Sequence, residues 1–184
     1  MRRAESAIAA TVTRGRADTG PVPVVESQVV VPLEPELAFW VSQTTAPERY
    51  RWDPFVRSQH LLDGATRPAK GVRAATTSRH GLRMVSSYVS FAPPSNVGMT
   101  MLRGPWFFAR FGGGWRFAPG EQPGTIRVTW RYNFATRPPL LQPLADRLGR
   151  WLLQRDIDRR IAGYARGCTD LVVLAAAREA AAAG

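Results

Sequence analysis

The sequence predicts an α+β fold in which a curved antiparallel sheet wraps around a long C-terminal helix. Three observations lead there. Residues 111–134 read as two long strands joined by Ala118-Pro-Gly-Glu-Gln-Pro-Gly124, a segment dense in turn formers. In the second of these strands Ile126, Val128, Trp130, Tyr132 and Phe134 alternate with Thr125, Arg127, Thr129, Arg131 and Asn133. Period two makes one face apolar and aromatic and the other polar, so something must lie on the aromatic face. The covering element follows directly: Leu140 to Cys168 is the longest helical pattern in the chain. Ahead of both, short strand-like runs recur at hairpin spacing, the mark of an antiparallel meander.

Taken in order, Met1–Pro23 mixes Arg, Ala, Thr and Gly without a period and reads as a disordered tail (residues 1–23). Val24–Pro32 is rich in β-branched residues and reads as a strand. Leu33-Glu-Pro-Glu36 opens a helix, with Pro35 in its first turn and two carboxylates near its positive end. Pro47–Arg51 is a second short helical piece, which Asp53-Pro54 ends because a residue before proline is pushed out of the α region. The strands then run Val56–Leu62 to the Asp63-Gly64 turn, Gly71–Arg79 to His80-Gly81, Leu82–Phe91 to Ala92-Pro-Pro-Ser-Asn96, and Val97–Leu102 to Gly104. Gly104–Arg110 sets three adjacent aromatics in a loop. Gly112-Gly-Gly114 suits a bulge or bend in a long strand.

The long helix carries two apolar stripes. Leu141, Leu144, Leu148, Trp151 and Leu152 form one; Leu153, Ile157, Ile161, Tyr164, Cys168 and Leu171 form the other. At about 100° per residue these point to nearly opposite sides, so one straight helix cannot lay both on a sheet. Either the helix breaks near Leu153–Asp156, or its first half covers something else. Plain packing against the two short helices is the favoured reading. A cavity mouth, a homodimer partner and a membrane surface are the others, the last because Arg147, Arg150 and Arg155 flank the stripe. The folded domain is placed at residues 24–174, with residues 175–184 as an Ala-rich helix or frayed tail.

At 184 residues the chain suits a single domain. The net charge of +11 invites a nucleic-acid reading. Lys70 is the only lysine, and the arginines are scattered amid abundant Ala, Gly and Pro. That composition speaks for coding bias rather than a phosphate-binding face, and argues against nucleic acid as a partner. The single cysteine, Cys168, excludes an intrachain disulfide and, on an apolar stripe, reads as a buried structural thiol. No run reaches about 18 apolar residues, so no membrane-spanning helix is expected. The N-terminus makes a poor signal peptide, and a cytoplasmic location is expected.

Motifs for chemistry are sparse. His60 and His80 lie twenty residues apart and no ligand cluster accompanies them, so no metal is expected. There is no G-x-S-x-G, no GxGxxG and no P-loop, so no nucleotide cofactor is expected.

The order strand, two short helices, meander and long C-terminal helix resembles the helix-grip fold of the START and birch-pollen-allergen (SRPBCC) superfamily. Arg51-Trp-Asp-Pro-Phe-Val56, Gly113-Gly-Trp-Arg-Phe-Ala-Pro119 and Gly124-Thr-Ile-Arg-Val-Thr-Trp-Arg-Tyr132 look like its bacterial polyketide cyclase/dehydrase branch. The resemblance spans about Val25 to Cys168 and implies a cavity between sheet and C-terminal helix. Members bind lipids, sterols, quinones, hormones or polyketides there; some catalyse and many only bind.

The predicted lining is Trp40, Tyr50, Trp52, Tyr88, Met99, Met101, Trp115, Trp130, Tyr132 and Phe134, with Trp106, Phe107 and Phe108 gating the mouth. The expected ligand is a hydrophobic small molecule, a polyketide, lipid or similar, with no cofactor. The alternatives are a polyketide cyclase/aromatase-dehydratase using the same cavity and a membrane-surface lipid or quinone chaperone. If there is catalysis, Arg79, His80, Tyr88 and Tyr132 are the side chains able to stabilise an enolate and move a proton. His80 beside Gly81, and Asp53 beside Trp52, read first as turn residues.

Overall fold

The computed structural model describes residues 23–137 and 142–183. The predicted disordered tail, save for its last residue, and Leu141 of the first helical stripe lie outside them. Seven strands form one antiparallel sheet in the order β1-β7-β6-β5-β4-β3-β2. They are β1 (Val24–Val31), β2 (Val56–Leu61), β3 (Arg73–Ser78), β4 (Arg83–Ala92), β5 (Asn96–Arg103), β6 (Phe108–Pro119) and β7 (Ile126–Thr136). Helices α1 (Pro35–Gln43) and α2 (Arg49–Trp52) follow β1, and α3 (Gln142–Gly167) and α4 (Leu171–Ala182) close the chain. The sheet curls into a half-barrel around the helices, which is the helix-grip arrangement expected.

The pairing of β6 with β7 sets the core. Trp115 faces Trp130 across the ladder, and their rings stack with centroids 3.8 Å apart. Inward residues of β7, from Ile126 to Phe134, are buried as the alternation requires. The glycines of β6 do not make a bulge: the ladder with β7 runs unbroken through Gly112–Gly114, and the irregularity falls between Phe108 and Arg110. They permit close approach instead. A Cβ on Gly114 would collide with the Val97 carbonyl oxygen, and one on Gly113 would lie 2.8 Å from Tyr132 Cδ1.

Helix α3 is continuous, so the break considered near Leu153–Asp156 does not occur. Its first half shows the sheet small and polar side chains. Thr136 Oγ1 donates to the buried Asp146 Oδ1 at 2.8 Å, and Gly149 rests against the Phe134 ring. That rotation sends Leu144, Leu148, Trp151 and Leu152 to solvent, 73, 58, 58 and 51 % exposed. The packing against α1 and α2 expected of this stripe is therefore corrected: Ile157, Ile161 and Tyr164 of the second stripe make the buried face.

Leu171 does not belong to that second stripe. The helix ends at Gly167, and Asp170 caps a new one, its Oδ1 accepting from Val172 N at 2.9 Å and Val173 N at 3.3 Å. The register resets, Leu171 points outward, and Val173, Leu174 and Ala177 are buried where α4 meets α1. The Ala-rich end is thus helical as far as Ala182.

α3 meets α2 through glycine. A Cβ on Gly163 would overlap the Trp52 carbonyl oxygen and sit 3.1 Å from Pro54 Cδ. Helix propensity alone would make Gly163→Ala stabilising by about 1 kcal/mol. The contact reverses the sign: Gly163→Ala is expected to destabilise by about 1–3 kcal/mol, as overpacking does. A urea midpoint unchanged or raised would contradict it.

Candidate functional site

The site grows from one turn of helix. Arg49 and Asp53 stand four residues apart across α2, on the same side. Arg49 is buried; its Nε donates to Asp53 Oδ2 at 2.8 Å and its Nη1 to the Ser42 carbonyl at 2.7 Å. Asp53, fully buried at the end of α2, also accepts from Phe55 N at 3.1 Å, so it is the turn residue expected and more than that. From α3, Arg160 donates Nε to Asp53 Oδ1 at 3.1 Å and Nη2 to Oδ2 at 2.7 Å, while its Nη1 reaches Tyr132 Oη at 2.7 Å. Two guanidinium groups thus share one carboxylate. Both lie on aromatic faces: Arg49 is 4.0 Å from the Trp52 ring centroid and Arg160 is 4.3 Å from that of Trp130.

Burial would push the Asp53 carboxyl up, but the Arg160 and Arg49 charges and hydrogen bonds overcome it and hold it at about 2. Burial lowers Arg49, partly offset by Asp53. Burial also opposes the charge on Arg160, yet Asp53, Tyr132 and Asp156 outweigh it and its pKa is raised. Asp156, 3.8 Å from Arg160, is raised by burial.

Beside this cluster lies a cavity of about 100 Å³ between the concave face of the sheet and the helices. Polar side chains make about half of its lining, among them Ser42, Gln43, Arg49, Ser86, Tyr88 and Arg160; Trp115, Trp130, Met84, Met99 and Met101 are among the apolar ones. Burial pushes the Tyr88 hydroxyl up to about 12, with Arg49 pulling against it, so Tyr88 stays protonated at neutral pH. Among the described residues, α3 contributes Arg160 alone to the lining.

Of the predicted residues, Tyr88, Met99, Met101, Trp115, Trp130 and Tyr132 converge on this cavity. The other nine lie elsewhere. Trp40 is core under α1, its ring against Phe39 and Phe91 and its Nε1 donating to Glu36 Oε1 at 2.8 Å. Trp52 stacks edge-on with Trp115 and Tyr164 behind the wall. Tyr50 Oη accepts from Gln59 N at 3.1 Å, and Phe134 is buried against Phe108 and Gly149. Trp106 is exposed in the β5–β6 loop, with Phe107 and Phe108 behind it in a chain of ring contacts. Arg79 and His80 sit exposed at the β3–β4 turn, away from the cavity. Sequence reasoning missed Arg49 and Arg160. The i, i+4 spacing of Arg49 and Asp53 was the one available signal, and it does not reveal burial.

One flank of the cavity is thin. The β5–β6 ladder stops at Thr100–Gly112, although β6 stays paired with β7 back to Phe108. A larger open groove of about 1170 Å³ lies on the outer side, floored by Gly98, Gly112 and Gly114 and rimmed by Arg110, Arg116 and Arg131. It shares Val97, Met99, Phe111 and Trp115 with the inner cavity, so one layer of backbone separates the two.

The solved structures it is similar to share the fold at low identity. TTHA0849 from Thermus thermophilus aligns with a TM-score of 0.65 and 18 % identity, covering 84 % of this chain and 99 % of that one. The Zhui aromatase/cyclase from Streptomyces sp. R1128 gives 0.61 and 15 %, covering 86 and 95 %. A START superfamily protein from Mycobacterium smegmatis gives 0.57 and 14 %, covering 76 and 97 %. No curated protein matches the sequence. The family described as polyketide cyclase / dehydrase and lipid transport matches residues 23–167, most of the folded chain, and this protein belongs to it.

Proposed function

We propose that the protein binds a compact hydrophobic molecule bearing an oxygen acceptor, with Tyr88 and Arg49 holding the oxygen and Trp115 and Trp130 flanking the ring system. One observation carries this reading: aromatic rings and methionines share the cavity wall with polar groups, among them a protonated Tyr88 hydroxyl with Arg49 beside it. Polar groups placed among apolar walls fix ligand orientation. At about 100 Å³ the cavity is well below the roughly 300–1,000 Å³ of drug-sized sites, so a small ring fits as it stands. Met84, Met99 and Met101 are the adaptable part of the wall and supply the room a larger ligand needs.

The test is titration with 2-naphthol, followed by fluorescence and by the shift in thermal midpoint. Binding with a raised midpoint is expected, and Tyr88→Phe should weaken it roughly tenfold, the value of one buried hydrogen bond of about 1.4 kcal/mol. If neither 2-naphthol nor a hydrophobic dye enters, the reading fails.

A second reading, cyclisation or dehydration of a poly-ketone chain, is favoured by the same pair. A protonated tyrosine next to a fixed positive charge can donate to a carbonyl oxygen as an enolate develops. The resemblance in fold to an aromatase/cyclase supports it. Turnover of a poly-β-ketone thioester that Tyr88→Phe abolishes would select this reading; unchanged turnover in the variant would remove it.

A further inference from the structure

The first half of α3 is built outside-in. Its sheet-facing side carries Asp146 and Gly149, and its largest apolar side chains face solvent. Leu144, Leu148, Trp151 and Leu152 follow the i, i+4, i+7, i+8 spacing of a single helical face. No described residue covers them. The rotation is not slack: the Thr136–Asp146 hydrogen bond and the Gly149–Phe134 contact lock it. Arg147, Arg150 and Arg155 are exposed around the stripe, and the Arg155 guanidinium lies 5.8 Å from the centroid of Trp151.

We infer that this face docks on the surface of an anionic phospholipid bilayer, lying in the interface plane with the leucines and Trp151 inserted and the arginines at headgroup level. An apolar face flanked by cations is the pattern of interfacial helices. Charge decides between a bilayer and a second copy of the chain. In a two-fold dimer the same patch meets itself. The arginines of one copy would then face those of the other, while the nearby acids are already engaged: Asp146 with Thr136, Asp156 with Arg160 and Asp158 with Gln154. An anionic surface meets the arginines with opposite charge. The exposed Trp106 loop adds to this end of the molecule, because Phe107 O accepts from Arg137 N at 2.8 Å just beyond the β7 terminus to which Asp146 is tied.

The proposal does not depend on what the cavity holds. The test is co-sedimentation of the full chain with vesicles of phosphatidylcholine alone and of phosphatidylcholine containing one third phosphatidylglycerol. Binding to the anionic vesicles is expected, falling as salt shortens the screening length from about 30 Å at 0.01 M to about 8 Å at 0.15 M. Arg150→Gln should lower the partition constant about fivefold, the share of one cation near such a surface. Leu148→Glu with Trp151→Ala should abolish binding while leaving 2-naphthol binding and the circular dichroism spectrum intact. Equal binding by that double variant, equal binding to phosphatidylcholine alone, or no binding at low salt would each overturn the proposal. So would a dimer in sedimentation velocity that Leu148→Glu dissociates.

Discussion

Asp53→Asn is expected to destabilise the protein by about 3–5 kcal/mol, the cost of leaving buried charge without its partner. Asp53 is fully buried and is the carboxylate that both Arg49 and Arg160 grip. Removing its charge strands two guanidinium groups inside the fold. The exposed Arg51–Asp170 pair, at a similar 2.8 Å, sets the contrast: Arg51→Ala should cost less than about 1 kcal/mol, because water already solvates both partners. Urea denaturation of the two variants side by side measures the difference, and similar losses would show that burial is not what gives the cluster its weight.

The same carboxylate sets an acid limit. Its pKa is depressed from the ordinary 3.8 to about 2, so its stabilisation is fully present above about pH 4 and is lost as pH falls toward 2. The share at stake is about 2 kcal/mol at 1.36 kcal/mol per unit. The Asp53→Asn substitution costs more because asparagine also sets an amide N–H2 donor against the two guanidinium groups.

Trp115→Ala is expected to cost about 3–5 kcal/mol, as truncations of buried aromatic residues do. Its ring stacks on Trp130 at 3.8 Å and touches Tyr164 at 5.2 Å and Trp52 at 6.3 Å, so sheet, α2 and α3 all lose packing at once. For a chain of this size that corresponds to about 6–20 °C in thermal midpoint. The residue also walls the cavity, so its removal should enlarge it. The variant should therefore recover more stability from saturating 2-naphthol than the parent protein does. A midpoint lowered by only a few degrees, with no extra rescue, would mean that neighbouring rings close over the gap and that this wall does not bound a ligand site.

Much of the fold was legible because it follows local rules. Alternation in Ile126–Phe134, the Pro-Gly turns and the length of the final helical pattern each report a period or a breaker that short-range sterics dictate. The rotation of α3 was not legible, since it depends on Thr136 holding Asp146 and on Gly149 meeting Phe134, contacts between elements. Nor was the reset at Asp170 anticipated, although an Asp just before an apolar run is a capping signal. For the site, alternation put Trp130 and Tyr132 on the apolar face of their strand, while Tyr88 and Trp115 were put forward by aromatic type alone. It could not distinguish a wall residue from Trp40, which faces inward into solid packing. Arg49 and Arg160 were hidden because an arginine reads as surface until its carboxylate partner is located in space.

The placement of β1 next to β7 has a consequence in time. Val24 pairs with Asn133, a separation of 133 − 24 = 109 residues, whereas the intervening strands pair with sequence neighbours. During synthesis the hairpins of the meander can zip as they emerge, but β1 must wait for its neighbour. At about 5–20 residues per second that wait lasts roughly 5–20 s. Throughout it, a β-branched segment, Val-Val-Glu-Ser-Gln-Val-Val-Val, travels with an open backbone edge. Glu26 and Gln28 interrupt that run and are the nascent chain's own guard against premature association.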